Sequence, residues 1–592
     1  MKCDKNLSNS PQNSKYRTVV NEMVYILGIN HAYHESSACL IKDGSIVAVA
    51  EEERFNRKKH AKPARIDNPD ELPVKVINFC LEKAGITLAE VYYIASSFSP
   101  AKRLRNKDFE DFVIEGDWGS HSGESLFCEK IQQVPQRLLE VYRVDVKEKF
   151  CWIDHHTSHA GSAYFVSPFD EAAILVVDGI GEIESTTLYK GEGNKIKRLK
   201  SINYPHSLGF LWEKLSKFLG FTEYDACKVM GLASYGNPNR YYDKLRQFVK
   251  INVRDFNVDH TVTRFRVNDH SGLEQILGSK REPHDELEER YADIAAALQR
   301  ITEEILLKLA QNLYKSTGSS NLCLAGGVAL NCVANSVLQE KGPFENIYVQ
   351  PAAHDAGTAI GAAYFVWNHR LGNPRSFIMD HAYFGPEYSQ EEIKQVLAEN
   401  QLKYAHVDDI EKEVAKLVAD GNVVGWFQGR MEVGPRALGN RTLLADPRNP
   451  MSRNILNLKV KHREYFRPFA PSVLMEKAED WFRIHKKSIS SDFMLFAYDV
   501  HNDKQGVIPA VIHVDGTSRI QTVRKETNPK YYKLIQEFEA LTEVPIVLNT
   551  SFNDREPIVC SPQDAINTFL KTRIDYLAIG NFLVSRRENN GR

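Results

Sequence analysis

The sequence predicts an α/β protein in two domains, and three observations predict it. The chain has 592 residues, more than one ordinary hydrophobic core sustains. Three short apolar runs in its first part end in a carboxylate or glycine turn: Ala172 to Val177 before Asp178-Gly179, Leu322 to Leu324 before Gly326-Gly327, and Ile347 to Val349 before Asp355. Open α/β sheets hold ligands at such strand ends. Beyond Asn368 to Pro386, where Leu-Gly-Asn-Pro-Arg-Ser and Gly385-Pro386 punctuate the chain, arginines stand among glycine, proline and aromatics. The expected division is a tail over 1–20, a first domain over 21–372 and a second over 373–592.

Composition narrows the class. A formal charge of −2 supplies no electrostatic reason to expect nucleic acid or an acidic membrane as partner. The apolar runs are far too short to span a bilayer. Residues 1–20 are polar, rich in Ser, Asn and Lys, and read as a disordered tail without the apolar centre of a secretory leader. Nine cysteines occur without a Cys-x-x-Cys pair, several inside apolar runs (Cys39, Cys323). That pattern favours reduced thiols and a cytoplasmic protein.

In chain order, Val24 to Asn30 reads as a strand ending in a polar loop that holds His34 and Glu35. Ala38 to Ile41 and Ser45 to Ala50 flank Asp43-Gly44, a hairpin signal. The run Glu51-Glu-Glu-Arg-Phe-Asn-Arg-Lys-Lys-His60 is either a solvated helix face or, beside a strand end, a group that grips anions. Val74 to Gly85 has helical periodicity, and residues 101–150 read as helices and an insertion. His155 and His159, four apart, share one face if their segment is helical, and two imidazoles so placed can grip a transition metal. With Asp178 they make a metal-site candidate one ligand short; the alternative is a helix cap, a core histidine and a turn. Lys228 to Gly236 reads as a small-residue loop that lets backbone approach a ligand. Glu286 to Tyr314 reads as a long amphipathic helix, and Gly326-Gly327 through Asn331 as a glycine turn opening a helix, a recipe for nucleotide binding. In the second domain Arg436, Lys461, Arg463 and Arg467 suit phosphate or carboxylate oxygens.

These motifs carry a resemblance. Gly28-Ile-Asn with His34-Glu-Ser-Ser-Ala, the Glu51–His60 run, Met230-Gly-Leu-Ala-x-Tyr-Gly, Gly326-Gly-Val-Ala-Leu-Asn, Gly434-Pro-Arg-Ala-Leu-Gly-Asn-Arg, Phe466-Arg-Pro-Phe-Ala-Pro-Ser and Leu548-Asn-Thr-Ser-Phe-Asn resemble the NodU/CmcH carbamoyltransferases from about Val24 onward. The resemblance implies an actin-like first domain and a YrdC-like second domain. It places an iron-type site on His155, His159, Asp178 and Asp355, so Asp355 becomes the missing ligand. It places a Lys-x-Arg…Ser-x-Asn pattern on Lys461, Arg463, Ser551 and Asn553. The implied reaction is an ATP-dependent O-carbamoyl transfer: carbamoyl phosphate and ATP, with Mg2+, form carbamoyladenylate at Lys461, Arg463, Arg436, Arg467 and Ser551. Lys228, Gly326, Gly327 and Asn331 would hold the nucleotide in the first domain. The metal, Fe(II) or another divalent ion, would be its Lewis acid; His34 is the candidate for taking the proton from a small-molecule hydroxyl, the alternative being a hydrogen-bonded loop histidine. No nucleic acid or membrane partner is expected, and the chain is expected as a monomer or homodimer. The sequence departs from the pattern at Asp554-Arg555-Glu556-Pro557, which lacks a glycine before Glu-Pro, and at His34-Glu35, where His-Asp is common. A metal-dependent hydrolase, a nucleotide-dependent scaffold and a tRNA-modifying enzyme are the alternatives; the residues between the histidines, His156, Thr157 and Ser158, lack the glutamate of a hydrolytic motif.

Overall fold

The computed structural model describes residues 23–105, 112–484 and 491–589. The tail expected over 1–20 lies outside them. The fold is built on a repeated topology. In the first sheet, strands β1 (Tyr25–Asn30), β2 (Ser37–Lys42) and β3 (Ser45–Glu51) form an antiparallel meander, and β4 (Tyr93–Ser96) and β5 (Phe150–Trp152) add in parallel beyond β1. The order is β3-β2-β1-β4-β5. In the second sheet β6 (Glu171–Val177), β7 (Glu184–Glu192) and β8 (Lys195–Asn203) form the same meander. A small hairpin, β9 (Val249–Ile251) and β10 (Phe256–Val258), intervenes before β11 (Asn321–Ala325) and β12 (Asn346–Val349) extend the sheet in parallel from β6. A meander of three strands followed by two parallel ones, made twice, is the actin-like core that the resemblance implies.

The hairpin between β2 and β3 turns as expected. Asp43 and Gly44 both take positive φ, 49° and 82°, the conformation a two-residue turn needs to match strand twist. The central strands are wholly buried, so β6 reads as a continuous apolar run rather than an alternating one.

A third, eight-stranded sheet contains β13 (Ala405–His406), β14 (Val424–Phe427), β15 (Arg441–Ala445), β16 (Ala470–Leu474), β19 (Gln521–Val523), β20 (Ile546–Ser551), β21 (Tyr576–Ile579) and β22 (Phe582–Ser585). A short pair, β17 (Tyr498–Asp499) and β18 (Thr517–Ser518), lies beside it. The mixed α/β class is thus present throughout the described residues.

Two sequence readings change. Lys228 to Gly236, read as a loop, is mostly helix over Ala226–Ala233; Ala, Met and Leu outweigh one glycine. The charged Glu51–His60 run is not a solvated face. Glu51, Glu52, Glu53 and Arg54 are buried, because the run packs between the first sheet and the third-sheet loops. The long helix runs over Glu289–Thr317 and ends on Gly318 at φ 68°, shifted three residues from its expected bounds.

Small residues let the inner helices close up. The helix His155–Tyr164 packs on the helix Thr358–Tyr364, which in turn lies on β1. A Cβ on Gly361 would stand 1.7 Å from the Ser158 carbonyl oxygen, and one on Gly28 would stand 1.9 Å from that of Ala359. Only glycine permits these approaches.

Candidate functional site

The first site is assembled from three strand ends. β6 delivers Asp178, β12 leads through a loop to Asp355, and the helix after β5 presents His155 and His159 from successive turns. His155 Nε2 lies 3.4 Å from Asp178 Oδ2 and 3.4 Å from Asp355 Oδ1; His159 Nε2 lies 3.6 Å and 3.5 Å from the same oxygens. All four residues are buried, with one donor atom each within 4.8 Å of the others. Both Nε2 atoms are buried and lack a hydrogen-bond partner. His155 Nδ1 faces the Ser97 carbonyl oxygen at 3.3 Å, which turns its Nε2 lone pair to the centre. Two orphaned imidazole nitrogens opposite two carboxylates fit a divalent transition metal.

The charges agree with that fit. Burial favours neutral forms, yet the carboxylates of Asp355 and Asp178 hold His155 well above the ordinary histidine range. Burial also works against charge on Asp178, but His155 and His159 hold it well below the usual carboxylate range.

The glycine turn joins this centre. Gly326 has φ 90°, and Gly327 N donates to Asp178 Oδ1 at 2.8 Å. Asn331 sits farther along the turn: it caps the helix Cys332–Lys341 through Ala334 N and pairs with the Gln299 amide. Its polar groups are engaged within the fold. Lys228 pairs with Asp225 at 3.1 Å and with Glu464 at 3.0 Å, so it ties the first half to the third sheet. His34 lies beside the His60 and Tyr224 rings, and its Nδ1 is buried without a partner.

The second site lies at the β20 end of the third sheet. Lys461 is 2% exposed. Its Nζ donates to the Asn553 side-chain oxygen (2.6 Å), the Asn553 carbonyl (2.8 Å), Ser551 Oγ (3.2 Å) and the Ser551 carbonyl. Burial, then Arg463, Arg467 and Lys59, push the Lys461 ammonium well below the ordinary lysine range. Arg463 stacks on Phe469 at 4.4 Å and is lowered to about 9 by burial and Arg467. Arg519, unremarkable in the sequence, lies half-buried beside them and is lowered to about 10 by burial and Arg436. The Nε atoms of Arg436 and Arg519 are buried without partners. Buried cations that repel one another are expensive unless an anion neutralises them. Such a cluster can bind an anion.

The two sites adjoin. Cys227 and Cys332, on helices of the first half, lie within electrostatic reach of Arg463 and Arg519. A Cβ on Gly434 would meet the Pro351 carbonyl oxygen at 2.8 Å, so the turn carrying Arg436 rests on the loop leading to Asp355. Glu213 was also missed in the sequence; it lies near Asp178 and Asp355, and burial raises it to about 8. No periodicity or motif marks Arg519 or Glu213, since their neighbours come from other strands.

Sites of these two kinds in one chain define an enzyme rather than a scaffold. Residues 25–364 match the family model described as carbamoyltransferase N-terminus, and residues 415–586 match carbamoyltransferase C-terminus. The chain belongs to the carbamoyltransferase family and is a carbamoyltransferase. It is 41% identical to an uncharacterized protein of Synechocystis sp., over 95% of this chain and 97% of the relative. It is 38% identical to nodulation protein NolNO of Sinorhizobium fredii, over 94% of this chain and 80% of the relative. The solved structure of component A of (R)-2-hydroxyglutaryl-CoA dehydratase from Acidaminococcus fermentans aligns with 59% of the chain and 99% of its own at 16% identity. Its TM-score is 0.32, too low a likeness to bear on function.

Proposed function

We propose that the chain is an ATP-dependent O-carbamoyltransferase that makes carbamoyladenylate from carbamoyl phosphate and ATP, then passes the carbamoyl group to a hydroxyl of a small natural product. The observation that carries this reading is the gathering of the half-buried Arg463, Arg467, Arg436 and Arg519 around the buried Lys461, an accumulation of cations that an anionic substrate would neutralise. The adenylate-forming half takes in 373–592 and the transfer half 21–372.

In the second half, Lys461 Nζ and the Ser551 and Asn553 side chains form a pocket floor for the carbamate and phosphate oxygens. Water cleaves carbamoyl phosphate to carbamate and inorganic phosphate; the arginines neutralise the triphosphate and align its α-phosphorus with the carbamate oxygen, which bonds to it as pyrophosphate leaves. Position and electrostatics suffice for such a step. Mg2+ enters as the counter-ion of ATP. Gly434 rests on Pro351, so the turn carrying Arg436 meets the loop leading to Asp355, and the adenylate is proposed to pass between the two halves sheltered from hydrolysis.

In the first half, Gly326 and Gly327 let the nucleotide approach the backbone. His155, His159, Asp178 and Asp355 would hold a divalent metal, for which Fe(II) is the proposed identity, and the bound ion would supply Lewis acidity toward the adenylate's oxygens. His34, the sequence's candidate for taking the acceptor proton, stands beside His60 and Tyr224 in this half. The eight described cysteines are free, in keeping with a reducing, cytoplasmic setting. A monomer or homodimer acting on small molecules, with no nucleic-acid partner, completes the reading.

The test is incubation with carbamoyl phosphate, ATP and a panel of small hydroxyl compounds: an aminoglycoside, a lipo-chito-oligosaccharide, a cephem, a macrolactam and a saxitoxin-type alkaloid. Mass spectrometry reads carbamoyl addition. Transfer that proceeds equally well without ATP would contradict the adenylate route.

A further inference from the structure

The Glu51–His60 run has a second face that the carbamoyl-transfer reading leaves unused. His60 Nδ1 lies 2.5 Å from Glu35 Oε1, and the Glu35 backbone N–H donates to the His60 carbonyl at 2.9 Å. The His60 backbone N–H donates to Glu53 Oε2 at 2.7 Å, and Glu53 Oε1 pairs with Arg54 at 2.8 Å. Three residues here take left-handed backbone: Glu35 at φ 52°, His60 at 63° and Ala61 at 65°. None is glycine, so each carries strain of the kind that gathers at functional sites. The His60 ring stacks on Tyr224 at 4.1 Å, with His34 set edge-on to both rings.

Glu35, Glu53 and His60 also bring three ligand atoms within 4.8 Å. Their donors, however, are bound to one another, to backbone and to Arg54, so the group is wired as a hydrogen-bonded pair rather than a cation cage. A carboxylate on Nδ1 fixes the tautomer and leaves Nε2 as an acceptor, the arrangement by which an acid orients a general base. His60 Nε2 has no hydrogen-bond partner among the described residues, and the side chain is 27% exposed. The Coulombic field at Glu35 is set first by His354, the neighbour of Asp355, and Ser37 Oγ donates to the Ala356 carbonyl at 2.8 Å. The pair therefore borders the four-ligand centre.

We propose that His60, oriented by Glu35, accepts the proton of the acceptor hydroxyl during carbamoyl transfer, while His34 orients that hydroxyl. This deepens the carbamoyl-transfer reading and rests on it. In the step, the acceptor O–H bond breaks and its proton goes to His60 Nε2. The acceptor oxygen bonds to the carbamoyl carbon, the bond from that carbon to the AMP oxygen breaks, and AMP leaves with the electron pair. Glu35 is a positioning residue. Burial disfavours the imidazolium, but the bond to Glu35 and its charge outweigh that and raise His60 above the ordinary histidine value. The groups that face His60 are Glu35, Glu53, Lys59, His34 and Tyr224.

The experiment uses the full metal-loaded chain with ATP, carbamoyl phosphate and glycerol as a generic hydroxyl, water being a second acceptor always present. Transfer is read as AMP released, and adenylate formation as pyrophosphate exchanged into ATP. His60→Gly suits the left-handed backbone, so the fold and metal content are retained. Its transfer falls by ~10²–10⁴, exchange persists, and added imidazole restores part of the transfer. Glu35→Gln keeps an acceptor for Nδ1 but lowers the His60 pKa; transfer, which rises as His60 loses its proton, then rises at lower pH than in wild type. Wild-type transfer by His60→Gly overturns the proposal, and so does a loss that imidazole leaves unrepaired. A wild-type protein with neither exchange nor AMP release sinks instead the carbamoyl-transfer reading beneath it.

Discussion

Replacing Lys461 with methionine keeps the length of the side chain and removes its charge. The structure sets two opposing effects on stability. The three N–H donors of the ammonium, shared among four oxygens of Ser551 and Asn553, are removed, each worth about 1 kcal/mol net. Against that, a buried cation beside Arg463 and Arg467 is removed, and each unit by which its pKa is depressed represents about 1.4 kcal/mol. The two effects oppose, so the ligand-free variant should lose less stability than its hydrogen bonds alone would cost. Ligand binding has no such compensation. At ATP equal to 100 Kd, wild type gains about 2.7 kcal/mol; if the lost contact weakens affinity ~100-fold, the same ATP contributes only about 0.4 kcal/mol. Exchange of pyrophosphate into ATP, dependent on carbamoyl phosphate, should fall by ~10²–10³. The assay is thermal unfolding with and without ATP, beside the exchange rate, on one preparation. An undiminished ATP-induced shift together with wild-type exchange would refute the reasoning that Lys461 meets the anion.

Three further outcomes are expected. His155→Ala and Asp355→Asn should each lose the bound divalent metal, read by elemental analysis, and transfer with it, while exchange at the second site continues; full metal content in both variants would remove the four-ligand assignment. Gly361→Ala should destabilise the protein by several kcal/mol, about 3 or more for backbone forced apart, because its Cβ meets the Ser158 carbonyl at 1.7 Å; a melting temperature equal to wild type would mean the two helices close differently. For Lys461 the folded pKa lies well below the unfolded value, so between the two the unfolded chain holds the extra proton. Stability of the ligand-free protein therefore rises with pH across that window; the rise should be smaller in Lys461→Met, and ATP binding to wild type should take up protons, measured by calorimetry in buffers of different ionisation enthalpy.

What could be read from the sequence depends on how local the cause is. His155 and His159 were legible because helical spacing puts them on one face, and Asp178 because an apolar run stops there. Asp355 needed a family resemblance, since only the parallel pairing of β6, β11 and β12 brings its loop to the histidines. The Asp43-Gly44 hairpin is a matter of two residues and was plain. The Glu51–His60 run misled in the other direction: by charge it is a surface helix, yet Arg54 reaches the Gly434 carbonyl at 2.9 Å and Arg57 the Ile558 carbonyl at 2.8 Å. Its partners lie hundreds of residues away, beyond any local pattern. Arg519 and the Glu35–His60 pair were hidden for the same reason. Asn331 shows the converse: its place after a glycine turn suggested a ligand contact, whereas it caps a helix and binds Gln299.

The central claim is that ATP is spent to make an adenylate whose carbamoyl group ends on a hydroxyl. The most direct measurement is product stoichiometry in one reaction with carbamoyl phosphate, ATP and a hydroxyl acceptor, by chromatography for nucleotides and mass spectrometry for the acceptor. The account predicts AMP and pyrophosphate formed in equal amounts and in step with the O-carbamate. ADP in place of AMP and pyrophosphate, or O-carbamate formed with ATP untouched, would contradict it.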